Sequence, residues 1–326
     1  MLSEDKHQCR SDQTGYREIP LSILKINERY EFDISFRIKE DYRLFAAKGA
    51  CFTEAHGKIL SSGDTRLYVH ADDWGKVEEC KVRLLSSILT DPKVSTKEKA
   101  DIAYTTSMAS IRKVFDETEA RTIRHVEQNA DEMVKLILSD GEVMNDLVWI
   151  KGHDHFTYQH SVKVGIYATA LSLKLFASKL TRQELMSLSA GYFLHDIGMA
   201  QVPQNILDKR TPLNKEEWDI IRMHPLWGYD RLLEAGHLTP EAAAIVLSHH
   251  ERHDGSGYPF NREGEGIPVY AKLCSIADVF EALTATRPYR KPKDPFQALK
   301  LMQQEMSKDF DAEIFKAFVM MLGPSL

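Results

Sequence analysis

The sequence predicts a mostly α-helical protein in which a small β-rich N-terminal module and linking helices precede a C-terminal helical bundle. Three observations carry that prediction. Residues 30–38, YEFDISFRI, set Tyr30, Phe32, Ile34, Phe36 and Ile38 against Glu31, Asp33, Ser35 and Arg37 in strict alternation, the period of a half-buried strand. Residues 118–139 instead space Ile123, Val126, Ala130, Met133, Val134, Ile137 and Leu138 by three and four, as a helix packed on one face requires. Beyond residue 74 the pattern stays helical, and nine of the thirteen histidines fall between His153 and His253.

The elements follow in order. YRLFAAKG (42–49) and TRLYVH (65–70) read as shorter strands between turns that carry Gly and Asp, so residues 1–74 form the β-rich module. Residues 75–140 are linking helices, stopped by Gly141. Residues 141–326 make the bundle. There His160 shares an apolar helix face with Val164, Tyr167 and Leu171. Asn214 and Glu217 form a capping box for a helix expected to reach His224, and Thr239-Pro240 opens a helix ending at His249-His250. In VYAKLCSIADVFEAL the stripe Val269, Leu273, Ile276 and Phe280 leaves Asp278 costly to bury without a cation.

Composition limits the function classes. At 326 residues the chain exceeds the ~100 to 200 typical of one domain. A net charge of -6 gives no overall attraction to a nucleic acid polymer or an anionic membrane, so an anionic ligand must be drawn by a local cluster of cations. No run approaches the ~20 apolar residues of a membrane span and the first ten residues hold no apolar signal core, so the expected address is cytoplasmic. Cys9, Cys51, Cys80 and Cys274 are scattered without C-x-x-C spacing, which predicts free thiols.

Any one histidine on an apolar face is adequately explained as a hydrogen-bonded core residue. Recurrence of adjacent ligands changes the reading: His195-Asp196 and His249-His250 each close a helical segment, while His160 and His224 come from others. Neighbours on a helix diverge by ~100°, so such pairs can serve two centres only where the helix end borders a shared cavity.

These residues carry a resemblance. His160, 195-HD-196, His224, 249-HHERHDGSGYP-259 and 278-DVFEALTATRPYR-290 are similar in order and spacing to the HD-GYP family, the cyclic-di-GMP phosphodiesterase branch of the HD-domain metal phosphohydrolases. The resemblance implies an HD-type bundle and two first-row transition metal ions, Fe or Mn. One would be held by His160, His195, Asp196 and Asp278, the other by His224, His249, His250 and again Asp196. It further implies that His195 and Asp196 are catalytic, that Arg287, Arg290, Tyr258 and Glu281 meet the substrate, and that cyclic-di-GMP or a related cyclic dinucleotide is cut to linear pGpG and on to GMP. Signalling proteins docking on the GYP loop are implied partners, and a weakly catalytic binding module acting through them is the alternative function.

Four positions depart from the family pattern. Phe156 stands where three-metal members carry glutamate, which argues for two metals. Glu281 replaces an aspartate, and His253 a tryptophan; the latter is read as a loop residue. Met199 replaces the lysine of HDIGK, which predicts slow turnover.

Overall fold

The computed structural model describes residues 15–61, 65–139, 143–150, 156–286 and 291–323. They form two compact units, the first ending at Ile102 and the second starting at Ala103.

The first unit holds strands β1 (Tyr16–Ile19), β2 (Ile34–Ile38), β3 (Asp41–Ala46) and β4 (Leu67–His70), with helix α1 (Glu54–Ser61) between β3 and β4 and α2 (Trp74–Leu89) after them. The sheet order is β1-β4-β2-β3, and its pairs are antiparallel. The alternating stretch at 30–38 becomes a ladder strand only from Ile34. Tyr30, Phe32 and Ile34 are buried as expected, but Ile38 is exposed because it closes the hairpin beside Lys39, whose φ is +57°. A register shift between Ile34 and Ser35 breaks the alternation and buries both neighbours. Helix α2 buries Val77, Cys80, Leu84, Leu85 and Ile88, spaced to share one face. The linking segment expected at 75–140 is thus divided, with α2 in the first unit and α3 (Thr96–Asp116) crossing the boundary.

The second unit continues through α4 (Ala120–Ser139), α5 (Val143–Trp149), α6 (Phe156–Phe176), α7 (Arg182–Phe193), a 3-10 turn (Ile197–Gln201), α8 (Gln204–Leu207), α9 (Lys215–Ile221), α10 (His224–Glu234), α11 (Pro240–Ser248), α12 (Val269–Thr284), α13 (Pro295–Glu305) and α14 (Ala312–Leu322). In α4 the packed face runs through Ile123, Val126, Ala130, Met133 and Val134, but Leu136 rather than Leu138 extends it; Leu138 is exposed.

Helix α12 is the bundle's axis. It packs against α6, α11, α13 and α14, and every residue from Ala271 to Glu281 is buried. The expected single stripe is therefore a correction: a helix surrounded by others buries its whole circumference, and Val269 at its exposed start contributes little. Edge-to-face contacts from Phe280 to Tyr167 and Phe318 tie it to α6 and α14. Among the described residues no helix is long and apolar enough to cross a membrane.

Candidate metal centre

Each histidine of interest sits at a helix end or faces one. Helix α7 opens on the capping box Thr181/Glu184 and stops at Leu194, which puts His195 and Asp196 in the turn before the 3-10 segment. The Asn214/Glu217 capping box opens α9 as expected, but α9 ends at Ile221 and a new helix starts at His224. The break follows from Pro225, which has no N–H to continue the ladder and is tolerated only in a first turn. Thr239 accepts from Ala242 N at the start of α11, whose C-cap is His249. His160 lies in the first turns of α6, and Asp278 and Glu281 lie one turn apart on α12.

A close approach holds two of these segments together. A Cβ on Gly198 would lie 1.9 Å from the carbonyl oxygen of His224, so only glycine lets the turn after Asp196 meet the start of α10.

The ligand atoms converge in two groups: Asp196, His224, His249 and His250, and His160, His195 and Asp278. Asp196 stands between them. Its Oδ1 is 3.2 Å from His224 Nε2 and 3.5 Å from His249 Nε2. Its Oδ2 is 3.5 Å from both His160 Nε2 and His195 Nε2. Asp278 reaches His160 Nε2 at 3.2 Å with one oxygen and His250 Nδ1 at 3.6 Å with the other.

Hydrogen bonds on the outer ring nitrogens fix what faces inward. His195, His224 and His249 place Nδ1 2.8, 2.8 and 3.0 Å from the carbonyls of Tyr192, Ile221 and Val246. A carbonyl only accepts, so each Nδ1 carries the proton and each Nε2 turns a lone pair to the centre. Two such lone pairs, on His224 and His249, lie 3.1 Å apart. Nε2 of His195 is fully buried without a hydrogen-bond partner. Buried acceptors facing one another are unfavourable unless a cation lies among them, so this donor set fits a metal.

The same groups shift one another's titration. Burial pushes the Asp196 carboxyl up, but His195, His224 and His249 outweigh it and hold the group well below the usual carboxylate range. Asp278 is likewise raised by burial and lowered further by His160 and His250. Burial brings His195 down to about 4, and it holds His250 well below the usual imidazole range. His160 is opposite in sign: burial lowers it, yet Glu281 and Asp278 pull it well above that range.

The residues expected to meet substrate fare differently. The Tyr258 ring stacks on His250 with 4.7 Å between centroids. Glu281 is instead buried and directed at His160, its Oε2 2.5 Å from Nδ1, because the extra methylene of glutamate reaches the α6 ring. Arg287 and Arg290 lie outside the described residues, as does the side chain of Phe156. His253 is a loop residue, its N donating to the carbonyl of Asp309.

Sequence reasoning missed Glu251. Its buried carboxylate accepts from Phe260 N at 2.8 Å and Arg262 N at 2.9 Å, stapling the GYP loop. The only sequence signal was an acid directly after paired histidines. Gly257 completes the fold of that loop, since a Cβ there would lie 2.3 Å from Arg252 N.

Comparison with known proteins places this arrangement. The HD domain family matches residues 143–314. The chain is 34% identical over 199 residues to the cyclic di-GMP phosphodiesterase PA4108 of Pseudomonas aeruginosa, covering 61% of this chain and 47% of that protein. It is 34% identical over 188 residues to the 3'3'-cGAMP-specific phosphodiesterase 1 of Vibrio cholerae, covering 57% and 42%. The chain thus spans less than half the length of these relatives. The fold is similar to that of Bd1817, an HDG"Y"P protein from Bdellovibrio bacteriovorus, with TM-score 0.66 and 18% identity, over 94% of this chain and 99% of that one. With its HD pair and histidine groups inside the matched residues 143–314, the chain belongs to the HD domain family.

Proposed function

We propose that the chain is a metal-dependent phosphodiesterase that cuts a cyclic dinucleotide, cyclic-di-GMP first among them, to linear pGpG and on to GMP. Segment 141–326 carries the activity. The observation that supports this reading most is the placement of Asp196, one oxygen toward each histidine group. A carboxylate so placed suits a bridge between two ions. Imidazole and carboxylate donors without thiolate suit Fe or Mn. Bound there, two such ions supply Lewis acidity, lowering the pKa of water and offsetting charge on the phosphodiester.

The chain's own residues do the rest. His195, His224 and His249, each anchored by a backbone carbonyl, hold their lone pairs at fixed angles. Tyr258 gives the nucleotide an aromatic surface beside His250. Arg287 and Arg290 clamp phosphate oxygens, a task for which a guanidinium fork is suited. Protein loaded anaerobically with ferrous iron or manganese should convert cyclic-di-GMP to pGpG on chromatography, and unchanged substrate under all loadings would overturn the reading.

Met199 supports a second reading. A thioether stands where a phosphate-directed lysine is expected, in the turn whose N–H at residue 199 donates to the Asp196 carbonyl at 2.8 Å. Tight binding with little turnover, signalling through protein partners at the GYP loop, follows if that loss dominates.

A further inference from the structure

The geometry points to Arg222 as the residue that distinguishes guanine from adenine in the bound cyclic dinucleotide, an inference that rests on the function proposed above. Arg222 is the C-cap of α9, exposed, two residues before His224. Its guanidinium carbon lies over the Tyr258 ring, 5.8 Å from the ring centre, and that ring stacks on His250. Guanidinium, phenol and imidazole thus form a series of neighbouring groups leading from solvent into the metal centre. No salt bridge engages Arg222 among the described residues, whereas other cations of this unit, such as Lys209 and Lys272, are committed to carboxylates.

An aromatic ring beside a cation suits a base better than a phosphate. Bases stack on the plane of an arginine as well as on an aromatic ring, while a phosphate gains nothing from either. Guanine presents two acceptors, O6 and N7, on one edge, which a guanidinium can meet with two parallel N–H donors. Adenine presents N7 beside an N6 donor, so the same fork meets one acceptor and one like dipole. Arg222 therefore favours a guanine whose O6/N7 edge meets the guanidinium beside Tyr258. A glutamine there, with one donor and one acceptor, matches adenine instead.

The test compares affinities of the metal-loaded protein for slowly hydrolysed phosphorothioate analogues of cyclic-di-GMP and cyclic-di-AMP, measured by calorimetry. Arg222→Ala should reduce the guanine-over-adenine preference about tenfold or more, chiefly by weakening the guanine ligand, and Arg222→Gln should move it further toward adenine. Metal content and helicity of both variants should match the parent. Equal loss of both ligands, or a preference unchanged in both variants, overturns the assignment. A parent protein that binds and cuts no cyclic dinucleotide would fail at the earlier step, and hydrolysis of unmodified cyclic-di-GMP by the parent keeps the two failures distinct.

Discussion

Glu281 holds His160 from behind: Oε2 of the one lies 2.5 Å from Nδ1 of the other, both buried, and Nε2 of the same ring faces Asp278 and Asp196. A carboxylate on the outer nitrogen fixes ring orientation and raises the basicity of the inner one, and losing such a partner typically costs 10- to 100-fold in metal affinity. Glu281→Gln should weaken metal binding by about that factor in chelator competition while helicity is retained. Affinity equal to the parent would return Glu281 to the substrate side.

Asp196 should be the costliest single ligand. Each of its oxygens faces a different histidine group, whereas His195 lies in one group only. Elemental analysis of Asp196→Ala should show depletion of both ions, and of His195→Ala chiefly of one. Full occupancy in both variants would remove the pair from the ligand set.

Metal loading should release a proton from His160. Its carboxylate neighbours raise it well above the usual imidazole range, so near neutral pH the ring begins protonated, and a metal must displace that proton. Affinity therefore rises with pH up to the raised value and falls in acid. His195, brought down to about 4 by burial, is already neutral and contributes nothing to the slope. Calorimetry in two buffers of different ionisation heat should reveal about one proton released; a heat independent of buffer would contradict it.

What could be read from sequence was what local spacing encodes. The Asn214/Glu217 and Thr239 caps lie within one turn of the groups they bind, so a short window contained them. The seven candidate ligand positions became legible through motif order, since their convergence joins residues over 100 apart. The reach of Glu281 to His160 and of Glu251 to the GYP loop depends on packing between α12 and α6 and on a folded-back loop, which no window shows. Residues 30–38 show the converse limit: perfect alternation predicted a longer strand, and pairing geometry decided where the ladder starts.

Glu251 should matter to the loop more than to the metal. It accepts two backbone N–H groups in a buried site, and hydrogen bonds to a charged group contribute ~1.5 to 3 kcal/mol each. Glu251→Ala would leave Phe260 N and Arg262 N without their acceptor, lowering the melting temperature by several degrees and raising amide exchange over residues 258–262. Unchanged exchange there would show that the staple is dispensable.

Met199 should set the rate of turnover. It lies in the 3-10 turn directly after Asp196, and the proposed function gives a lysine at this position the task of offsetting charge that builds on the phosphate during attack. Lys272 is a poor substitute. Lys272 is buried, with Glu265 and Asp311 3.1 and 3.2 Å away, so its charge is already engaged. Losing one preorganised donor to a transition state typically costs 10²- to 10³-fold in rate, ~2.7 to 4 kcal/mol. Ground-state binding, which the proposed function assigns to bound metal and to Arg287 and Arg290, should survive that loss. Met199→Lys should therefore raise kcat at least tenfold with little change in KM, because the restored charge acts mainly on the transition state. An unchanged or lower kcat, with metal content and fold intact, would make Met199 a packing residue and assign any slow turnover to the metal centre itself.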